Sequence, residues 1–496
     1  MQIAQGGYVA LVMTIADPKT PHEALSGPNA TRWREAMQAE IDNLIEKLYL
    51  AVVKYDSKGD VEKFKARLVA RGFSQQYGVD YTETYSPVIK QQTVRLILAL
   101  GTFFGEEIEH MDVPQAYVKA GQDTDIYMEI PAMSLYGLKQ SGRMWHTDID
   151  ATLLEIGLSK SLLDPCIYYN WSTHGLTVLG LYVDDIIVFS QDHEYLDAIR
   201  LRLEQRYQVK SLGDVKRILG INVHRKGGAL FLEQTKLIEE LLENNDMKDC
   251  HPQSSPLPLD HKVTEDGQPS AMSSSKMREI IGSLQWLAGC TRPDVAFATS
   301  LLSRFAPNEH HEHAIKRILR YLQGTKHYGL GIKPDGANEM HVFTDADWAG
   351  DKSNRRSTTG CIVEAYGAII HWFSKQQATV TLSTMEAEYR QRLEEQGSAV
   401  SLWCDNQSAL KNMANDISST RAKLMDIEYH FIQDEVKKGK VVVGYCATDE
   451  MPADGLTKAL LIEWFTEARR MMHVVSREDS VAMKALAKSV QLDGGC

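Results

Sequence analysis

The chain has 496 residues, 43% of them hydrophobic and 24% charged, which leaves room for two or three domains with cores of ordinary size. Its formal net charge of −12 argues against a protein that coats nucleic acid non-specifically, but is compatible with an enzyme that has one local basic groove. The seven cysteines show no CxxC or zinc-knuckle spacing, no apolar run reaches membrane-spanning length, and the N-terminus lacks the basic flank of a signal peptide. These features exclude a disulfide framework, a zinc module and a membrane span, and they fit a reducing interior.

Residues 1–30 are rich in Pro, Gly and small residues and read as a loosely ordered lead-in. Asn29 and Thr31 are candidate N-caps for a helix through TRWREAMQAEIDNLIEK, with Trp33, Met37, Ile41, Leu44 and Leu48 near helical spacing. In DVEKFKARLVARGF, Lys63, Lys65, Arg67 and Arg71 cluster among strand formers. Alternation puts Lys65, Arg67 and Val69 on one side, which suits a phosphate as well as a solvated face. Val94, Ile97, Leu98 and Gly101 make one face of a helix, and Ile108–Val113 reads as a strand ending on Asp112. Asp112, Ala116 and Tyr117 form a DxxxAY pattern. Taken alone, Asp112 reads as a helix N-cap.

The stretch LTVLGLYVDDIIVFS, 176–190, predicts a hairpin whose tight turn carries Asp184 and Asp185. Two adjacent carboxylates in apolar surroundings are costly unless they face water or hold a hard cation, and oxygen-only ligands favour magnesium or manganese. From about 233 to 275 the composition turns polar, with HPQSSPLPLD as the clearest linker signal. In the helix-rich part that follows, Ile315, Ile318, Leu319 and Leu322 recur at helical spacing, with Lys316, Arg317 and Arg320 on other faces. His310, His311 and His313 read as surface residues. From Met340 the pattern restarts with a strand ending in Asp345, a polar turn and two further strands. STMEAEY, LWCDNQSAL and ATDEMPADGLTK then supply Glu388, Asp405 and Asp454.

YVDD within an apolar hairpin resembles the catalytic motif of reverse transcriptases. EAMQAEI, KARLVARGFSQQYGVDYTETYSPV, the DxxxAY segment, YMEIP, SLYGLKQ, DPCIYY and LYVDDIIV stand in the order found in copia-type retrotransposon reverse transcriptases. LGDVKRILGINV, SSPLPLD, IGSLQWLAGCTRPDVAFATSLLSRF and ILRYLQGTKHYGL continue the match, so the resemblance covers about 32–465. The later acids resemble the ribonuclease H domain that follows the polymerase in these elements.

The resemblance implies an α+β polymerase of palm, fingers and thumb, followed by an α/β ribonuclease H-like domain with a mixed sheet. The expected boundaries are a lead-in at 1–30, the polymerase at 31–255, a linker and connection at 256–338, the ribonuclease H-like domain at 339–465 and a tail at 466–496, in which MKALAKSV suits a short helix. For the polymerase it implies Asp112 and Asp184 as main metal ligands and Asp185 as a secondary one. Lys65 and Arg67 would pair with the triphosphate, Tyr117 would exclude a 2′-hydroxyl, and Gly137 and Gln140 would lie near the nucleotide. For the second site it implies Asp345, Glu388, Asp405 and Asp454 around magnesium, with Mn2+ as the alternative ion and Glu386 as the rival of Glu388. The implied partners are an RNA template, a DNA primer, an RNA–DNA hybrid and deoxynucleoside triphosphates, with no membrane. The implied location is intracellular, in cytoplasmic particles and the nucleus.

The chain also departs from the family pattern. Tryptophan-bearing strands are missing between Leu48 and Val53, only Ala132 and Met133 stand where a longer loop precedes SLYGLKQ, and the helix after Glu388 breaks early into RQRLEEQGSAVSLWCDNQ. Leu424 stands where a histidine is usual, and no histidine lies just before Asp454. No DTG or DSG triplet, CCHC knuckle or HHCC module is present, so the expectation is a polymerase–ribonuclease H segment. Two readings stay open, namely a two-metal RNA-directed DNA polymerase with ribonuclease H activity, degenerate through internal deletions, and an inactive nucleic-acid-binding relic of the same fold.

Overall fold

The computed structural model describes residues 26, 29–41, 49–55, 61–68, 73, 75–79, 81–119, 138–261, 268–304, 308–334, 339–348, 350–351, 355–377, 400–407, 410 and 436–479. The chain divides into two compact units that interleave along the sequence, one of residues 1–90 and 109–214, the other of residues 91–108 and 215–496.

In the first unit, a helix over Ala30–Ile41 precedes an antiparallel pair, β1 (Tyr49–Tyr55) and β2 (Val61–Leu68), which forms a two-stranded sheet of its own. The remainder of the expected helix, 42–47, lies outside the described residues. The main sheet is antiparallel and is built from β3 (Glu109–Asp112), β4 (Ser159–Lys160), β5 (Ile167–Ser172), β6 (Gly175–Tyr182), β7 (Asp185–Ser190) and β8 (Lys210–Asp214), in the order β4-β5-β6-β7-β3-β8. Leu179, Leu181, Ile186, Val188 and Phe189 are at most 1% exposed, so the central hairpin is covered on both faces along most of its length. Two helices follow from local signals. Ser141–Glu155 buries Trp145, Ile149 and Leu153 at i, i+4 and i+8. His193–Tyr207 starts at Asp192, whose carboxylate accepts from the Tyr195 amide at 3.0 Å, and buries Leu196, Ile199, Leu203 and Tyr207. The two helices meet where the Trp145 and Tyr207 rings pack edge to face at 5.1 Å.

The second unit is organised on a mixed sheet of β9 (Arg217–Ile218), β10 (Ile221–Lys226), β11 (Ala229–Glu233), β12 (Tyr328–Ile332), β13 (Met340–Asp347), β14 (Thr358–Ala365), β15 (Ala368–Gln376), β16 (Val400–Cys404), β17 (Val441–Tyr445) and β18 (Val474–Ser476). The order is β17-β16-β13-β14-β15-β12-β11-β10-β9, with β18 beside β12. β13–β16 and β16–β17 are parallel and the other pairs antiparallel. Helices Thr235–Glu243, Ser274–Cys290, Ala296–Leu302 and Glu309–Gly324 complete its core, and the last buries Ile315, Ile318, Leu319 and Leu322 as its periodicity predicts.

A buried ion pair sits among these helices. Arg292 and Asp294, both side chains fully buried, form a two-pronged contact at 2.9 and 2.7 Å. Arg292 also donates to the Thr325 carbonyl and hydroxyl, and the Tyr321 hydroxyl donates to Asp294 at 2.5 Å. Every charge is thereby partnered, as burial demands.

The structure corrects three expectations. Residues 466–476 are not tail: they lie in the helix Ile462–Met471, which buries Phe465, Ala468 and Met471, and in β18. His311 is not a surface residue but fully buried, its Nδ1 2.7 Å from the side-chain Oδ1 of Asn308, the residue that caps its helix. The sheets divide between Asp214 and Arg217 rather than at HPQSSPLPLD, where Ser255, Pro256 and Leu257 are buried. The MKALAKSV segment lies outside the described residues.

Candidate functional site

Three of the later acids converge. The carboxylate oxygens of Asp345, Asp405 and Asp454 lie within 4.8 Å of one another, the one such three-residue group of potential ligands among the described residues. Strand direction explains two of them. β13 and β16 are parallel with Thr344 paired to Cys404, so Asp345 and the next residue after β16, Asp405, reach the same sheet end together. Asp454 arrives on a 3-10 helix, Pro452–Leu456, which packs against β13 and β14.

Gly360 makes that packing possible. It pairs with Asp345 across β13 and β14, and a Cβ on it would stand 2.8 Å from Leu456 Cβ and 2.9 Å from both the Ala453 carbonyl and Thr457 Cγ2. Hydroxyls then aim the acids, the Thr457 hydroxyl donating to Asp345 Oδ2 and the Thr448 hydroxyl to Asp405 Oδ2 at 3.2 Å. Lys458 Nζ lies 2.9 Å from Asp454 Oδ1 and 3.7 Å from Asp345 Oδ2.

The crowding has an electrostatic signature. Burial, then the charge on Asp345, holds both Asp405 and Asp454 above the usual carboxylate range, and Lys458 opposes the rise. A fourth acid, Asp347, also belongs to this end of β13. Burial pushes it up to about 6, against the Thr358 amide that donates to it and with help from Asp345. Gly350 has no space for a Cβ because the Asp347 carboxylate occupies that place. Sequence reasoning passed over Asp347, Thr457 and Lys458, although the i, i+2 spacing from Asp345 was a usable signal for Asp347. Glu388 and Glu386 lie outside the described residues.

In the first unit, β3 and β7 set Asp112 directly opposite Asp185, and the Val113 amide donates to the Asp184 carbonyl at 2.8 Å. Asp112, His110, Tyr182 and Asp185 share a half-buried face, while Met111, Leu181 and Ile186 fill the opposite one. His110 Nε2 lies 3.0 Å from Asp185 Oδ1. Asp184 sits in the two-residue turn with Val183, whose φ of 54° is a left-handed value that a β-branched residue rarely adopts. The Trp145 indole donates to the Val183 carbonyl at 2.5 Å and helps hold that turn.

The other nucleotide-site candidates are placed unevenly. Tyr117 follows β3 in the short helix Ala116–Lys119, its hydroxyl about 4.0 Å from where a Cβ on Gly142 would stand. Gln140 is buried, and its amide oxygen accepts from Gln75 Nε2 at 3.0 Å, so it ties down the loop around residue 75. Lys65 and Arg67 lie in the backbone of β2, and their side chains are outside the described part. Gly137 lies outside the described residues.

An antiparallel sheet tipped by an aspartate pair, followed by a mixed sheet with converging acids, is the frame within which the chain can be classified. Residues 42–258 match the family described as reverse transcriptase (RNA-dependent DNA polymerase). The chain is 33% identical, over 91% of its length, to the retrovirus-related Pol polyprotein from transposon RE1 of Arabidopsis thaliana, covering 34% of that protein. It is 33% identical over 91% of its length to the corresponding polyprotein of transposon TNT 1-94 from Nicotiana tabacum, covering 38% of it. The chain therefore carries a reverse transcriptase region at 42–258 and is similar along most of its length to copia-type retrotransposon Pol polyproteins, of whose length it spans little more than a third. A solved RNase H1 isolated from compost aligns with 24% of this chain and 94% of its own at 16% identity, with a TM-score of 0.20, an overlap too small to define a fold.

Proposed function

We propose that the chain is the polymerase–ribonuclease H segment of such a Pol polyprotein, with one acid site in each compact unit. The observation that carries the reading is the convergence of Asp345, Asp405 and Asp454 to within 4.8 Å at one end of the mixed sheet. The donor set is carboxylate only, which fits magnesium, or manganese in its place, and does not fit a zinc site. Such an ion, when bound, makes a water or hydroxyl a better nucleophile and stabilises the charge developing on a phosphodiester. The chain's own residues supply the rest. Thr457 and Thr448 fix which oxygens of Asp345 and Asp405 turn to the gap, and Asp454 takes up a proton more readily than an ordinary aspartate. The proposed substrate is the RNA strand of an RNA–DNA hybrid, with Glu388 as the fourth acid.

In the first unit, Asp112, Asp184 and Asp185 are proposed to serve DNA synthesis on an RNA template, with a DNA primer and deoxynucleoside triphosphates. Asp112 and Asp185 share a face, and the left-handed Val183 turn sets Asp184 apart from Asp185, so the two are not equivalent. In this reading the main antiparallel sheet is the palm, and β1–β2 belong to the fingers.

One observation favours the second reading, a relic that no longer polymerises. β1 and β2 form a two-stranded sheet that pairs with no further strand among the described residues and has the helix Ala30–Ile41 against β2, a small support for a nucleotide site. It would hold Lys65 and Arg67 loosely against a triphosphate, where roughly 1 Å of misplacement can cost about 100-fold in rate. Primer extension on an RNA template and cleavage of an RNA–DNA hybrid by the purified 496-residue protein test both readings. The expected result is magnesium-dependent hybrid cleavage with poor or absent extension. Robust extension would reject the relic reading, and absence of both activities would reject the enzyme reading.

A further inference from the structure

Lys458 stands out because, among the described residues, both of its ionic contacts are to members of the acid cluster. Its ammonium lies 2.9 Å from Asp454 Oδ1 and 3.7 Å from Asp345 Oδ2. The residue before it, Thr457, donates to that same Oδ2 of Asp345. The side chain of Lys458 is 41% exposed, so its head has a path to water, whereas Asp345 and Asp454 are buried on the sheet side. Buried carboxylates this close together need a positive partner, and among the described residues Lys458 is in contact with two of them.

We propose that Lys458 is a tethered cation that competes with the divalent ion for the Asp345–Asp405–Asp454 site, and so sets the metal concentration at which the site fills. The inference rests on the metal-site reading above and adds a positioning residue to it. A hard divalent ion needs carboxylate oxygens at roughly 2.0–2.1 Å in a near-octahedral shell. An ammonium hydrogen-bonded to Asp454 Oδ1 takes up a lone pair and repels a second cation beside it. Filling the site therefore requires the lysine head to turn outward. Its long, flexible stem and partial exposure allow this, and the exit leaves the ammonium at the rim, where a nucleic-acid phosphate would be met. Without metal the same contact is stabilising, since it offsets the repulsion among the acids.

The test is manganese binding to the full chain, followed by electron paramagnetic resonance of the free ion and by thermal melting, for wild type, Lys458→Met, Lys458→Arg and Asp405→Asn. Lys458→Met is expected to bind Mn2+ about tenfold more tightly than wild type. It should melt lower than wild type without metal, and at the same temperature once saturated. Lys458→Arg, which keeps the charge, should not gain affinity, and serves as the folded control if the Met variant is unstable. Equal or weaker binding by Lys458→Met, or a matching gain in Lys458→Arg, would overturn the competition. If neither wild type nor Lys458→Met binds more Mn2+ than Asp405→Asn, the acids are not a metal site, and the underlying reading fails together with the proposal.

Discussion

Asp345 and Gly360 face each other across β13 and β14, and the missing side chain at Gly360 is what lets the 3-10 helix bring Asp454 to Asp345. Gly360→Ala would put a methyl group 2.8–2.9 Å from Leu456 Cβ, the Ala453 carbonyl and Thr457 Cγ2, and overpacking of this kind costs about 1–3 kcal/mol. The expected outcome is a folded protein with a lower melting temperature and no stabilisation by added Mn2+. A Mn2+ response equal to that of wild type would show that the glycine does not gate the cluster.

The two acid sites should act as separate catalysts. In a preparation with measurable activities, Asp184→Asn should lower primer extension by about 100-fold or more and leave hybrid cleavage intact, because an acid ligand acts within its own unit. Asp405→Asn should do the reverse. Loss of both activities from either substitution, with the fold retained by circular dichroism, would contradict the assignment.

Asp347 gives the metal-free protein a pH dependence of unusual sign. Its folded pKa of about 6 lies above the ordinary 3.8, so the folded state binds the proton more tightly than the unfolded chain. Its contribution to stability is complete below about pH 4 and is lost as pH rises through about 6, an effect of roughly 1–3 kcal/mol. Asp347→Asn should therefore melt above wild type at pH 8 without metal and level with it at pH 4. Parallel melting curves across that range would refute the effect.

Breaking the Arg292–Asp294 pair should be far more damaging than any surface change. Asp294→Asn leaves a fully buried guanidinium without its counter-charge, while Tyr321 loses a strong acceptor. Removal of one partner of such a pair costs about 3–5 kcal/mol. The measurement is thermal or urea unfolding, in which the variant should lose much of the second unit's transition. A loss below about 1 kcal/mol, within the range of exposed pairs, would show that the pair is not what anchors these helices.

Much of this architecture is legible in the sequence. Alternating and helical apolar patterns locate the aspartate hairpin, the strand before Asp112 and the Glu309–Gly324 helix, because burial of one face imposes a short-range period on the residues. Ordered motifs are enough to pick out the family and to nominate Asp345, Glu388, Asp405 and Asp454 as a set, of which Glu388 lies outside the described residues. Tertiary structure decided the rest. It interleaved the two units, drew 466–476 into the core, buried His311 against Asn308, and added Asp347, Thr457 and Lys458 to the acid cluster. The physical reason is that, apart from His311 and Asp347, which lie within three residues of Asn308 and Asp345, these placements depend on pairing across long separations, as between Asp345 and Gly360 or Asp345 and Thr457. Strand register and close backbone approach fix such contacts, and neither leaves a local period in the chain.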